Sequence, residues 1–371
     1  MRILLASDKF KGSLSAEDVG KSLQSGLLGL FPQANFDFCP IADGGEGTTA
    51  AVVKSVQGEW RSAEVTDAQG RPKAIRYGFI KATQQAVMEM SAASGLDGVR
   101  DLKLNPQTAS TRGTGEMMLR AKDEGARSIL IGIGGSATND GGLGLAMALG
   151  YRFESQGKPF SPTLETLLQA DRIIPLATAW TTEVLVACDV ENPLLGPTGA
   201  TRIYGPQKGV TDFIWFEERL THLANLVQKN LGKDLRNIPG AGAAGGLGFG
   251  LMAFANGKLT SGFDLVAKQV GLAERIQQAD LVITGEGRLD GQSLQGKGPV
   301  GVAKLARQLG KKVVGVAGSI ESSAELHSQF DLLIGIKPDA MPLEEAMRRT
   351  PELISRAIQD HRTALTRLIN A

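Results

Sequence analysis

The sequence predicts an α/β protein in which a doubly wound, Rossmann-like parallel-sheet domain is formed by both chain ends and a second, mixed α/β domain is inserted between them. Three observations lead there. The 371 residues exceed the ~250–300 at which a single hydrophobic core stops growing. Short apolar runs alternate with helical patterns at both ends, as βαβ units require. Between residues 59 and 90 closely spaced β-rich stretches replace that rhythm, which returns only near Ala279. The expected domains are therefore residues 1–58 together with 275–371, and residues 59–274.

The elements follow in order. Ile3–Ala6 is an apolar strand, and Ser15 with Glu17 and Asp18 opens a helix that runs toward Leu30 before Pro32 stops it. Phe36–Cys39 is the next strand, followed by a helix from about Glu46 to Val56. Trp60–Val65, Ala74–Ile80 and Gln85–Glu89 read as a meander, broken by Gln69-Gly70-Arg71-Pro72 and by a polar turn. The insert continues through a helix near Gly113–Glu124, a strand Ser128–Ile133, a helix after Asp140, a strand Glu183–Ala187 and an amphipathic helix Phe213–Leu231. Leu281–Thr284, Lys312–Val316 and Leu332–Ile336 supply three further parallel strands. There is no linker rich in Pro and Ser and no internal repeat beyond two Asp-Gly-Gly segments, at Asp43 and Asp140.

Composition excludes several classes. Hydrophobic residues make up 42% and charged residues 21%, so the chain can bury a core and is not disordered as a whole. With 40 Lys and Arg against 39 Asp and Glu, no broad basic field exists to follow a nucleic-acid backbone. No apolar run reaches the ~18 residues of a membrane span. Two cysteines, Cys39 and Cys188, are too few for a disulfide scaffold, so a soluble chain in a reducing cytoplasm is expected, acting as a monomer or homodimer. His222, His327 and His361 fall in helical patterns, which argues against histidine chemistry.

Glycine accounts for 47 residues, above the roughly 7% of average usage, and clusters between apolar runs and helical patterns. Such clusters suit backbone that approaches a ligand closely. Gly291-x-x-x-x-Gly296-Lys297-Gly298 matches a phosphate-binding loop except at its last position, and it begins well after the preceding strand; a looser anion contact from Lys297 fits it better. Gly132-Ile133-Gly134-Gly135-Ser136-Ala137 approximates a dinucleotide fingerprint but lacks the acidic residue expected about twenty positions on. Gly240-x-Gly242-x-x-Gly245 fits the same pattern with no strand before it, and close helix packing explains these glycines as well as a ligand does. Five carboxylates stand beside glycine or at strand ends: Asp43, Asp140, Asp189, Glu286 and Asp290. Helix capping explains any one of them; the set suits a metal ion and an attacking hydroxyl in phosphoryl transfer.

These strings have a further property. Ala42-Asp43-Gly44-Gly45-Glu46-Gly47-Thr48, Ser110-Thr111-Arg112-Gly113-Thr114-Gly115-Glu116, Ile131–Gly142, Ala187-Cys188-Asp189-Val190, Tyr204-Gly205-Pro206-Gln207-Lys208-Gly209, Pro239–Gly246 and Ile283–Arg288 occur in the order of the signatures of the type-1 glycerate kinase family. The chain resembles that family from end to end. The resemblance implies phosphorylation of D-glycerate with ATP and Mg²⁺ in a two-domain α/β enzyme, with 2-phosphoglycerate as the expected product. At the amino terminus this sequence reads Ser7-Asp8-Lys9-Phe10, where relatives often carry Pro in place of Ser7 and a Ser-aromatic pair in place of Lys9-Phe10.

Chemistry then suggests roles. The glycerate carboxylate needs a cationic anchor, for which Lys11, Arg288 and Lys208 are candidates. Asp189 would orient or deprotonate the attacking hydroxyl, and Asp43 and Asp290 would hold Mg²⁺. Gly134, Gly135 and Ser136, with Gly285, Gly287 and Lys297, would line the triphosphate. Two alternatives remain open, a nicotinamide-dependent hydroxy-acid dehydrogenase and a non-catalytic small-molecule binding protein.

Overall fold

A computed structural model describes residues 1–370 other than 43, 292, 296, 297 and 322. Among them are fourteen strands: β1 (Arg2–Leu5), β2 (Asn35–Phe38), β3 (Glu59–Thr66), β4 (Pro72–Ile80), β5 (Gln85–Glu89), β6 (Ser128–Gly132), β7 (Arg152–Ser155), β8 (Lys158–Phe160), β9 (Arg172–Ile174), β10 (Glu183–Ala187), β11 (Lys258–Thr260), β12 (Leu281–Leu289), β13 (Lys312–Ile320) and β14 (Leu332–Gly335). The chain forms two compact units, residues 1–43, 50–57 and 263–371, and residues 44–49 and 58–262. No helix among the described residues is long and apolar enough to cross a membrane.

The first unit holds an all-parallel sheet in the order β14-β13-β12-β1-β2. Residues 3–5 of β1, 281–283 of β12 and 313–316 of β13 are apolar and buried, as strands covered on both faces must be. Ile3, Leu5, Leu281, Ile283, Val314 and Val316 point to one face, where they pack with Val19, Leu23 and Leu27 of the helix Ala16–Leu28 and with Leu353, Ile354 and Ile358 of the helix Thr350–Asp360. Leu4, Val282 and Val313 are buried on the other face, the side of the helix Gly298–Gln308. Burying each such side chain contributes roughly 1.5–3 kcal/mol. The sheet is thus doubly wound, and its order reverses between β1 and β12. Ligands of open α/β sheets bind outside the carboxyl ends of the strands at such a reversal.

Two details depart from the sequence reading. β12 continues past Thr284 to Leu289 and β13 past Val316 to Ile320, because paired glycines let the two strands approach closely. A Cβ on Gly285 would stand 1.9 Å from the Val316 carbonyl oxygen, and one on Gly318 2.3 Å from that of Gly287. Residues 44–49 and 58, read with the chain ends, lie in the second unit, and residues 263–274, read with the insert, lie in the first together with the rest of the helix Leu272–Gln278. Arg275 fixes that segment: its guanidinium donates to Asp37 Oδ1 (2.7 Å), to the Ser55 carbonyl (3.1 Å) and to the Val270 carbonyl (3.0 Å).

The second unit is built on a mixed sheet in the order β11-β10-β6-β5-β4-β3. β5, β6, β10 and β11 run parallel, while β4 and β3 are antiparallel additions. The meander read from sequence is therefore present, but its third strand also joins a parallel ladder. A separate antiparallel sheet, β8-β7-β9, lies in a stretch where the sequence shows no clear strand signal. The core gathers Ile129, Ile131, Val184 and Val186 with Phe216, Leu220, Phe249 and Phe254 of the helices Phe213–Leu231 and Ala243–Ala255.

Candidate active site

In the second unit the carboxyl ends of the parallel strands converge on the Gly44–Thr49 segment. Gly132 ends β6 against it, since a Cβ there would lie 2.2 Å from the Gly44 carbonyl oxygen, and a Cβ on Gly44 would lie 2.7 Å from the Ala187 side chain that ends β10. Only glycine allows both approaches. Glu89, the last residue of β5, accepts hydrogen bonds through Oε1 from the backbone N–H groups of Gly47 (3.1 Å) and Thr49 (2.8 Å). It thereby serves donors that the first turn of the helix Thr48–Ser55 leaves unpaired. Asp189, just past β10, is half-buried and accepts from the N–H of Gly262 at 2.9 Å. That bond helps to fix the carboxylate.

The Gly132–Asp140 segment is held from its far end. Ala137 N donates to the Ser94 carbonyl (3.0 Å), and Asn139 Nδ2 to Thr201 Oγ1 (3.0 Å). Asp140, 2% exposed, accepts from Thr111 N and Oγ1 (both 2.9 Å), Gly144 N (3.1 Å) and Gly142 N (3.1 Å). Burial pushes its carboxyl pKa up, and the four hydrogen bonds oppose that shift. Lys208 is also buried, its Nζ 2.6 Å from the Thr138 carbonyl oxygen. Burial lowers its ammonium to about 7, and the charge of Asp140 opposes the fall. Gly134 and Gly135 at the near end are exposed, Gly135 with φ +73°, whereas Ser136 is buried. The glycines at 240–246 turn out to pack: a Cβ on Gly245 would stand 1.9 Å from the Thr138 carbonyl oxygen, and one on Gly246 2.8 Å from Gly141 Cα.

In the first unit the reversal point carries its own charged set. Asp8 follows β1; its Oδ1 accepts from Lys9 N at 2.6 Å, and its Oδ2 would stand 3.9 Å from a Cβ on Gly298, which opens an eleven-residue helix. Lys11 is exposed on a tight turn closed by reciprocal backbone hydrogen bonds between Phe10 and Leu14 (2.9 and 3.0 Å). Ser13 pins this turn by donating to the Met347 carbonyl at 2.7 Å. Gly287 on β12 faces it, a Cβ there lying 3.4 Å from Lys11 N. Arg288 pairs with Asp290 (3.2 Å) and Glu321 (3.6 Å), but it is 66% exposed, so these pairs hold it weakly. Ser293 donates to Glu286 Oε1 at 2.7 Å.

The sequence-derived candidates thus separate into groups. Lys11, Gly287, Arg288 and Asp290 come together around the ends of β1 and β12. Gly134, Gly135, Ser136 and Asp189 stand at the ends of β6 and β10. Gly285 is an interior strand residue whose missing side chain serves pairing with β13. Lys208 is an internal group, buried against a carbonyl and not presented to solvent. Asp43 and Lys297 lie outside the described residues. Asp8 and Glu89 were missed, although each is a carboxylate ending an apolar strand. All three histidines engage backbone carbonyls, of Ala170, Ser323 and Ala357.

Oxygen donors dominate around β1 and β12, which is the donor chemistry of Mg²⁺. No group of three or more metal-ligating side chains is assembled among the described residues. Mg²⁺ characteristically takes one or two carboxylates and completes its octahedron with phosphate oxygens and water, so Asp290 fits an ion that arrives with a nucleotide.

Comparison with known proteins identifies the family. A family model described as "Glycerate kinase family" matches residues 3–366. A protein named glycerate kinase from Halalkalibacterium halodurans is 42% identical over 96% of each chain, and one named glycerate 2-kinase from Escherichia coli K12 is 41% identical over 96% of each. A crystal structure described as "putative glycerate kinase 2" from Salmonella typhimurium LT2 superimposes with a TM-score of 0.88 at 37% identity, covering 99% of this chain and 98% of that one. The chain belongs to the glycerate kinase family, phosphotransferases that act on an alcohol group.

Proposed function

We propose that the protein transfers the γ-phosphoryl group of ATP to the 2-hydroxyl of D-glycerate, giving 2-phosphoglycerate, with Mg²⁺ bound to the nucleotide. One observation carries the choice of hydroxyl: the relative named glycerate 2-kinase matches this chain over 96% of both lengths. Phosphoryl transfer asks a protein chiefly to position two anions and to stabilise charge. Lys11 and Arg288 meet the glycerate carboxylate; the one is exposed and the other is held only by weak surface pairs. Asp189 orients the acceptor hydroxyl and accepts its proton; its bond from Gly262 N keeps the carboxylate from swinging away. The exposed backbone of Gly134 and Gly135, with Gly287, contacts the phosphate chain, as does Lys297. Asp43 and Asp290 hold Mg²⁺, which supplies charge neutralisation at the phosphates. The two compact units serve as its two domains, and the reaction takes place in the cytoplasm without nucleic acid or membrane.

An assay that follows ADP release tests the proposal. ADP should form only when D-glycerate, ATP and Mg²⁺ are all present. Turnover of a hydroxy acid that depends on a nicotinamide cofactor, with no ADP formed, would overturn it in favour of a dehydrogenase. Glycerate binding with no ADP and no nicotinamide turnover would leave only a binding protein.

A further inference from the structure

Lys208 is a buried charge that the proposed chemistry does not use. It ends the 3₁₀ turn Pro206–Lys208, and its side chain runs inward to the Thr138 carbonyl, 70 residues away in sequence. Among the described residues no carboxylate forms an ion pair with it. An ammonium in that position carries a desolvation penalty that a methionine of similar volume would avoid. Packing alone therefore does not account for lysine here.

What it touches is informative. The Thr138 carbonyl is confined on another side by Gly245, where no side chain fits. Gly141 N donates to the Gly245 carbonyl at 3.1 Å, and Asp140 gathers four donors next to it. Each of residues 137 to 140 is thus held by at least one hydrogen bond, while Gly134 and Gly135 stand open to solvent. The Lys208 bond is the tie closest to that open end made by a charged side chain.

We propose that Lys208 is a positioning residue, holding the Thr138 carbonyl so that the exposed Gly134–Gly135 backbone keeps the geometry in which it meets its ligand. The role rests on the reading that this loop contacts the nucleotide phosphates. Lys208→Met and Lys208→Gln separate the two ideas, because Met removes the donor and Gln keeps one. ADP binding is measured by calorimetry on the whole protein, and KM for D-glycerate and kcat by steady-state kinetics. Lys208→Met is expected to melt no lower than the parent, to bind ADP at least tenfold more weakly and to keep its glycerate KM within twofold, with Lys208→Gln in between. A loss confined to the glycerate KM would support positioning by Lys208 and overturn the assignment of the loop to the nucleotide. Folded variants with unchanged affinity for both ligands would overturn the positioning role. So would failure of both variants to fold, since the side chain would then serve the fold and not the loop.

Discussion

Replacing Asp140 by alanine gives the sharpest test of how the glycine-rich loop of the second unit is held. The carboxylate is 2% exposed and takes three backbone N–H groups and one hydroxyl, so its removal orphans four donors where water is excluded. At about 1–3 kcal/mol for each unsatisfied buried group, the gross loss is about 4–12 kcal/mol. Relief from burying a charge returns part of that, and a net destabilisation of at least about 3 kcal/mol is expected. Asp140→Asn should cost less, about 1–3 kcal/mol, because its amide oxygen can replace Oδ2, which takes three of the four bonds, leaving its NH₂ opposed to Gly142 N. The sequence supplies a local reporter, since Trp60, Trp180 and Trp215, its 3 tryptophans, all lie in the second unit. Urea unfolding followed by tryptophan fluorescence therefore reads that unit even if the two unfold separately. A Trp-detected stability of Asp140→Ala within about 1 kcal/mol of the parent would refute this account of the loop.

Further predictions concern charge and chemistry. Lys208 titrates at about 7 in the folded state and at its ordinary 10.5 when unfolded, so its contribution to stability is complete above 10.5 and is lost as pH falls through 7. The stability of the parent relative to Lys208→Met should accordingly rise by about 1.4 kcal/mol per pH unit between pH 7 and 9; a difference flat with pH would contradict the burial of this ammonium. Asp189→Asn keeps an acceptor for Gly262 N but not a base, so kcat should fall roughly 10²–10⁴-fold with ATP affinity nearly unchanged, and near-parental turnover would remove Asp189 from that role. ATP consumption should stop in excess chelator and return with added Mg²⁺, whereas full activity in chelator would remove the metal role of Asp43 and Asp290.

Much of this was legible in the sequence, for local reasons. The helix Phe213–Leu231 announces itself through Asp212, whose side chain accepts from Trp215 N at 3.0 Å, and through Gly232, which ends it with φ +69°. The short apolar strands of the first unit alternate faces as their sequence suggests, and the carboxylates and glycines at their ends fall where the sheet order reverses. What escaped was non-local. β5 reads as the end of a meander, and only its pairing with β6 places Glu89 among the parallel strand ends. Gly285 looks like part of a ligand loop until Val316 is found against it. Lys208 reads as a cationic anchor for the glycerate carboxylate, and nothing nearby in sequence announces that the Thr138 carbonyl oxygen lies 2.6 Å from its ammonium.

The central claim is transfer of phosphate from ATP to the 2-hydroxyl of D-glycerate. Phosphorus NMR of a reaction containing the protein, D-glycerate, ATP and Mg²⁺ follows it without coupling enzymes. The account predicts that the ATP signals give way to those of ADP and of 2-phosphoglycerate in equal amounts. ATP left intact, or its hydrolysis to free phosphate with no phosphoglycerate formed, would contradict the claim outright, and 3-phosphoglycerate as the product would contradict the choice of hydroxyl.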